Sequence, residues 1–123
     1  YEFTSGDWSY DNGQQKIAGQ KVNALSEGKW VWYYENGRKQ MEGTFNKGKR
    51  NGLWIIYGVN GNKVSESEYR DDKLNGHFTH WHPNGIIKSE GTYTSDKLDG
   101  IITEYDTSGI LIQTLEYKEG KVW

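Results

Sequence analysis

Along the chain, short stretches rich in rings and β-branched residues flank a polar pair that ends in glycine, and the arrangement keeps returning. It reads "YYENG" at 33–37, "YGVNG" at 57–61, "WHPNG" at 81–85 and "YDTSG" at 105–109, with a looser "YDNG" at 10–13. Two such stretches around an Asn-Gly mark a β-hairpin. The columns keep a period of 24 residues: Gly28, Gly52, Gly76 and Gly100; Gly37, Gly61, Gly85 and Gly109; Phe45, Tyr69, Tyr93 and Tyr117. Trp30, Trp54, Phe78 and Ile102 form a further column, as do Tyr33, Tyr57, Trp81 and Tyr105, and the basic Lys49, Lys73, Lys97 and Lys121. A fixed period of this kind is the signature of a repeat architecture. The pattern predicts an all-β protein of tandem β-hairpin repeats. A single domain spans 1–123, with a degenerate first repeat over 1–27 and full repeats at 28–51, 52–75, 76–99 and 100–123. No stretch sustains the i, i+3, i+4 apolar spacing of a helix.

The turn type follows from one residue. If Asn-Gly filled both centres of a two-residue turn, the residue before it would join the terminal hydrogen-bonded pair. In the third full repeat that residue is Pro83, which has no N–H. A three-residue loop fits instead. Pro83 takes the first centre of a type I turn, Asn84 the second, and Gly85 the left-handed bulge position. Gly37, Gly61, Gly85 and Gly109 are therefore the turn-forming residues, each expected at positive φ. Ser108 can stand in for Asn because its position keeps φ negative.

Composition then changes what the core must be made of. Only 33% of residues are hydrophobic, but 15% are aromatic, so rings supply much of the buried area at roughly 150–250 Å² each. The net charge of -2 gives no bulk attraction toward nucleic acid or anionic membrane. With no cysteine, disulfides and thiolate metal sites are excluded. No apolar run reaches the roughly 18 residues of a membrane helix. The sequence opens on Tyr1 rather than Met, which leaves the compartment open: cytoplasmic for an antitoxin, periplasmic or secreted if a leader preceded Tyr1.

The stretch "GKWVWYYENGRKQMEGTFNKGKRNG", followed by "GLWIIYGVNGNKVSESEYRDDKLNG", resembles the variant MORN repeat typical of the bacterial YwqK-like antitoxin family. The resemblance covers 28–123 well and 1–27 loosely. It implies successive hairpins lined up as an elongated, twisted, single-layer antiparallel sheet. It also implies a non-enzymatic protein-binding module, an antitoxin or immunity protein that neutralises a toxin by direct binding. The alternative is a secreted or envelope-associated scaffold module that assembles with itself or with other surface proteins. No cofactor and no catalytic motif come with the family. The chain departs from the pattern at Gly58, His80, His82, Ile102 and Asp106.

The candidate partner-binding residues are Trp30, Trp32, Tyr33, Tyr34, Trp54, Tyr57, Phe78, His80, Trp81 and His82. A sheet one layer thick cannot cover all of these rings, and Trp and Tyr dominate interface hot spots. Positions two and five after the leading glycine differ in parity and face opposite ways. Each column can serve as a ladder holding the sheet together, or one can remain as a groove floor; Trp32 and Trp81 are the alternative centres of contact. In "HFTHWH" at 77–82, His80 and His82 share a strand face, but no third ligand stands at a compelling distance, so no metal site is predicted. The lysine column is crowded by Asp71, Asp72, Asp96 and Asp99 and faces an acidic column of Glu42, Glu66 and Glu90. That mixed field disfavours nucleic acid and lipid as partners and suits solvated turn lysines that discourage edge pairing. No nucleophile elbow, phosphate loop or paired-acid motif is present, so no catalytic residue is assigned.

Overall fold

The computed structural model describes residues 9–123; the first eight residues of the degenerate repeat lie outside the described residues. Eleven strands form one antiparallel sheet: β1 (Ile17–Val22), β2 (Leu25–Tyr33), β3 (Lys39–Asn46), β4 (Lys49–Tyr57), β5 (Lys63–Arg70), β6 (Lys73–Trp81), β7 (Ile87–Thr94), β8 (Lys97–Leu98), β9 (Gly100–Tyr105), β10 (Leu111–Lys118) and β11 (Lys121–Val122). Each pairs with its neighbour in sequence, except that β8 and β9 both pair with β7. The first and last strands do not meet, so the sheet is open.

Two loop types alternate along the row. The Asn-Gly loops have the three-residue form. Gly37 N–H bonds to Tyr34 O at 3.0 Å while Tyr34 N–H bonds to Arg38 O at 2.8 Å, and the same pair recurs at 58–62, 82–86 and 106–110. The glycine φ values are 85°, 90°, 88° and 85° at Gly37, Gly61, Gly85 and Gly109. The other connections are two-residue turns with both residues at positive φ: Asn23-Ala24, Lys47-Gly48, Asp71-Asp72, Ser95-Asp96 and Glu119-Gly120. Such turns match the strand twist. The lysine column sits directly after them, closing the hairpins in pairs such as Asn46 with Lys49 and Arg70 with Lys73. Most of these lysines therefore lie inside the row and not on a free edge, which corrects the expected edge-guarding role.

The leading glycines make a stagger. Thr44 pairs with Asn51, but Glu42 pairs with Ile55, so three residues of β4 stand opposite Gly43. Gly52, at φ 83°, supplies the irregular backbone that this bulge requires. The stagger swings the Trp54 ring back over β3. A Cβ on Gly43 would lie 2.1 Å from that indole, so the ring rests on the glycine itself. The Trp54 Nε1–H donates to Thr44 O at 3.1 Å. Trp30 sits on Gly19 in the same manner, 2.1 Å from a built Cβ, and donates to Gln20 O at 3.1 Å. Ile102 sits on Gly91. Where the ring shrinks to Phe78, its partner on the preceding strand is Ser67 rather than glycine. Trp30, Val31, Trp54, Phe78 and Ile102 are the buried hydrophobic residues, at 4–9% exposure.

Gly43 has an ordinary φ, so its demand is purely steric, whereas Gly61 is needed for its backbone. Gly43→Ala is expected to cost about 1–3 kcal/mol by overpacking, and Gly61→Val about 1–2 kcal/mol through left-handed strain. Both should lower the midpoint of a circular-dichroism melt by several degrees. An unchanged melt for Gly43→Ala would mean that the indole does not bear on residue 43.

Candidate functional site

The ten candidate residues do not form one surface. Alternation along each strand sends Trp30, Trp32, Trp54, Phe78 and His80 to one face and Tyr33, Tyr57 and Trp81 to the other. Tyr34 and His82 begin the Asn-Gly loops and lie on the loop edge. A contact centred on 30–34, 54–58 and 78–82 therefore divides into three places.

On the first face, rings touch in an unbroken run. Trp32 stands 5.9 Å from Trp30 and 5.7 Å from Trp54, and Phe45 meets Trp54 edge-on at 5.0 Å. Tyr69 continues the run at 6.2 Å from Trp54 and carries the Arg50 guanidinium 4.3 Å over its own ring. A second cluster joins Phe78 to Tyr93 at 5.0 Å and to His80 at 5.4 Å. Between the two clusters run Ser65 and Ser67, opposite His80 and Phe78. These small side chains leave a hollow of about 300 Å³ walled by Trp32, Met41, Phe45, Trp54, Ile56 and Tyr69. Trp30, Trp54 and Phe78 are buried at 4–6% exposure. A partner arriving here would meet Trp32, Phe45, Tyr69 and Ile56 instead, the last 42% exposed. Sequence reasoning missed Phe45 and Tyr69 as site residues, although their 24-residue column was visible.

The second face is polar. The Tyr57 hydroxyl donates to Glu42 Oε1 at 2.6 Å, and Lys39 and Lys29 approach the same carboxylate at 3.0 and 3.5 Å. Burial and the Glu42 hydrogen bond push the Tyr57 pKa up to about 12. Burial works to raise the Glu42 carboxyl, but the Tyr57 hydroxyl and the two lysines outweigh it and hold the pKa below the ordinary value. Lys63 pairs with Glu66 and lies 5.7 Å from the centre of the Trp81 ring. Glu42, Ile55, Glu66, Thr79, Glu90 and Thr103 alternate across this face as register partners.

The loop edge is laced. Asn36 Oδ1 accepts the Arg38 N–H at 2.9 Å while its Nδ2 donates to Val59 O of the next loop at 3.2 Å. Asn12 and Asn84 reach forward in the same way, to Glu35 O and Thr107 O. In the last loop Asp106 Oδ1 takes over the local role, accepting from Ser108 and Ile110. His82 Nε2 donates to Tyr105 O at 2.8 Å, as the Tyr34 hydroxyl does to Tyr57 O at 2.7 Å. His82 thus fills a tyrosine's structural place, apart from His80. Among the described residues no three acidic or histidine side chains gather as a metal site would need.

Among the described residues, a row of hairpins linked through aromatic seats and loop asparagines makes an open repeat module. The MORN repeat variant matches residues 26–47, 74–94 and 98–119, more than half of the chain, and the chain belongs to that family. MORN repeats are modules for binding. No curated protein shows significant similarity to the chain. The matches leave out most of the repeat at 52–75, which has the same two strands and loop but carries Gly58 and Ser67 where its neighbours have larger or smaller side chains.

His80 supplies a pH test of the first face. Burial, and then the Lys88 charge, lower its pKa from 6.5, so the folded state prefers the neutral ring. Its contribution to stability is complete above about pH 6.5 and is lost as pH falls through the lower folded-state value. Between pH 7.5 and 5.5 the urea midpoint should drop more in the wild type than in His80→Gln. Equal drops would mean that His80 titrates as it does in the unfolded chain.

Proposed function

We propose that the protein is a non-enzymatic protein-binding module that engages its partner through the hollow at Trp32 on the aromatic face. The observation that supports this most is the partly exposed ring cluster of Trp32, Phe45 and Tyr69 around a serine-floored depression, on a sheet with no second layer among the described residues. Interface centres are depleted in charge and enriched in aromatic residues. The opposite face, with Glu42, Glu66 and Glu90 in its midst, fits that description poorly. The resemblance to YwqK-like antitoxins supplies the biological form: the partner is a toxin, neutralised by direct binding. A second reading is a secreted or envelope-associated scaffold that associates with itself. It is favoured by the apolar side chains of Ile101, Ile110, Leu111 and Ile112, which are 53–64% exposed.

Wild-type protein, Trp32→Ala and Trp81→Ala serve as parallel baits in source-cell extract, with quantitative mass spectrometry and then titration of the purified partner. Trp32→Ala should weaken binding at least tenfold, about 1.4 kcal/mol, with the fold intact by circular dichroism. Trp81→Ala should bind normally. The reverse ranking moves the contact to the polar face, and normal binding by both removes the sheet faces from consideration. The toxin form predicts that expressing the captured partner alone arrests growth and that co-expressing this protein relieves it. Sedimentation showing concentration-dependent self-association, with no captured partner, would favour the scaffold reading.

A further inference from the structure

One linkage recurs along the loop edge with a single omission. The Tyr10 hydroxyl donates to Tyr33 O at 2.6 Å, the Tyr34 hydroxyl to Tyr57 O at 2.7 Å, and His82 Nε2 to Tyr105 O at 2.8 Å. The intervening position of the 24-residue column is Gly58. Trp81 O, the carbonyl that matches Tyr33, Tyr57 and Tyr105, receives no side-chain donor among the described residues. The second tie is also slack here. Asn36 and Asn84 bond forward at 3.2 and 2.8 Å, but only Asn62 bridges from this loop, to Pro83 O at 3.5 Å. A cleft of about 810 Å³ opens between the two loops, with Gly58, Val59, Val64, Trp81 and Pro83 among its walls.

The backbone does not demand glycine at this position. Gly58 lies outside the left-handed region, and an added Cβ would first meet Asn60 Oδ1 at 3.1 Å, the movable end of a side chain. A side chain is therefore admissible at 58. Its absence leaves a slot of the shape that tyrosine or histidine fills at the other loops, with a carbonyl acceptor at the far end. The polar lining is cationic and amidic. Arg38 borders the cleft and has no ion pair among the described residues. Asn60 Oδ1 is occupied by the Asn62 N–H, which leaves its amide nitrogen as a donor.

We propose that this slot binds a tyrosine side chain presented by a protein partner, the phenol taking the place that Tyr34 takes one repeat earlier and its hydroxyl donating to Trp81 O. Trp81 lies half-buried on the cleft wall, and a carbonyl there without a protein donor favours a ligand that brings one. The guanidinium of Arg38 and the Asn60 amide offer donors to the peptide carbonyls that flank such a tyrosine, which a free phenol would leave unused. The site lies on the loop edge, apart from the hollow at Trp32, and stands independently of the reading given for that face.

The test is an NMR titration with N-acetyl-tyrosine N-methylamide, its phenylalanine counterpart and p-cresol, against wild type, Gly58→Ala and Gly58→Tyr. The tyrosine amide should give saturable shifts at residues 58–64 and 81–83 and bind at least threefold more tightly than either other probe. Gly58→Ala should retain that binding. Gly58→Tyr should abolish it and raise the melting temperature, because the chain then fills its own slot. Trp32→Ala should leave it unchanged, so failure here is distinguishable from failure on the aromatic face. Absence of saturable shifts, equal binding of the phenylalanine amide, or undiminished binding by Gly58→Tyr would overturn the proposal. A Gly58→Tyr that melts lower or fails to fold would overturn the slot itself, and p-cresol binding as tightly as the tyrosine amide would overturn the polypeptide source.

Discussion

A large side chain lying on a bare backbone carries the rest of this structure. Trp54 rests on Gly43 and Trp30 on Gly19, each anchored by its indole N–H to a carbonyl of the preceding strand. A buried ring of this size removes roughly 150–250 Å² from water, worth about 4–6 kcal/mol before the cost of ordering the chain. In a sheet with no second layer among the described residues, this is the main way to bury apolar area. Three other features are consequences. The leading glycine must adopt positive φ to make the stagger, the return strand must offer glycine under the ring, and where the ring is smaller the floor can be serine.

That mode of packing also determines which surface is left over. The rings that do the holding are hidden, and the rings beside them are only half-buried. Trp32 and Phe45 lean on Trp54 and stay partly exposed. The packing and the proposed contact thus share one face but use different members of it. The second face follows a different logic, in which Glu42 is held ionised by Tyr57, Lys39 and Lys29. A carboxylate so engaged is stable where it stands and costly to desolvate further, which makes that face a poor centre for an apolar contact.

Loop chemistry adds a second, independent set of ties. Asn12, Asn36 and Asn84 each close their own turn with one end and reach the next loop with the other. Because nearest-neighbour ties dominate repeat proteins, a defect in one tie stays local. Gly58 is such a defect: the hairpins on either side of it keep their register, while the edge between them opens.

Much of this could be read from the sequence because it is decided within a few residues. The hairpins, their 24-residue period and the three-residue loop with φ > 0 at Gly61 and Gly85 all follow from local sterics, above all from the missing N–H of Pro83. The two-residue turns were harder to see, since Asp71-Asp72 and Ser95-Asp96 adopt positive φ without glycine and are held there by the strands they join. Parity separated Trp32 from Trp81 but could not say which face would be polar. That depends on Glu42, Glu66 and Tyr57 meeting across different strands. Nor could it place Trp30, Trp54 and Phe78 beneath their neighbours, because the stagger at Gly52 is a property of strand register. The vacancy at Gly58 shows only when Tyr34 is seen to reach Tyr57 O, a bond between residues 23 apart that exists once the hairpins lie side by side. The sequence by itself determined the repeating unit and its turns, since those rest on backbone chemistry within each unit. Tertiary structure alone decided what is buried, what is displayed and where the edge stands open, since those rest on how one unit lies against the next.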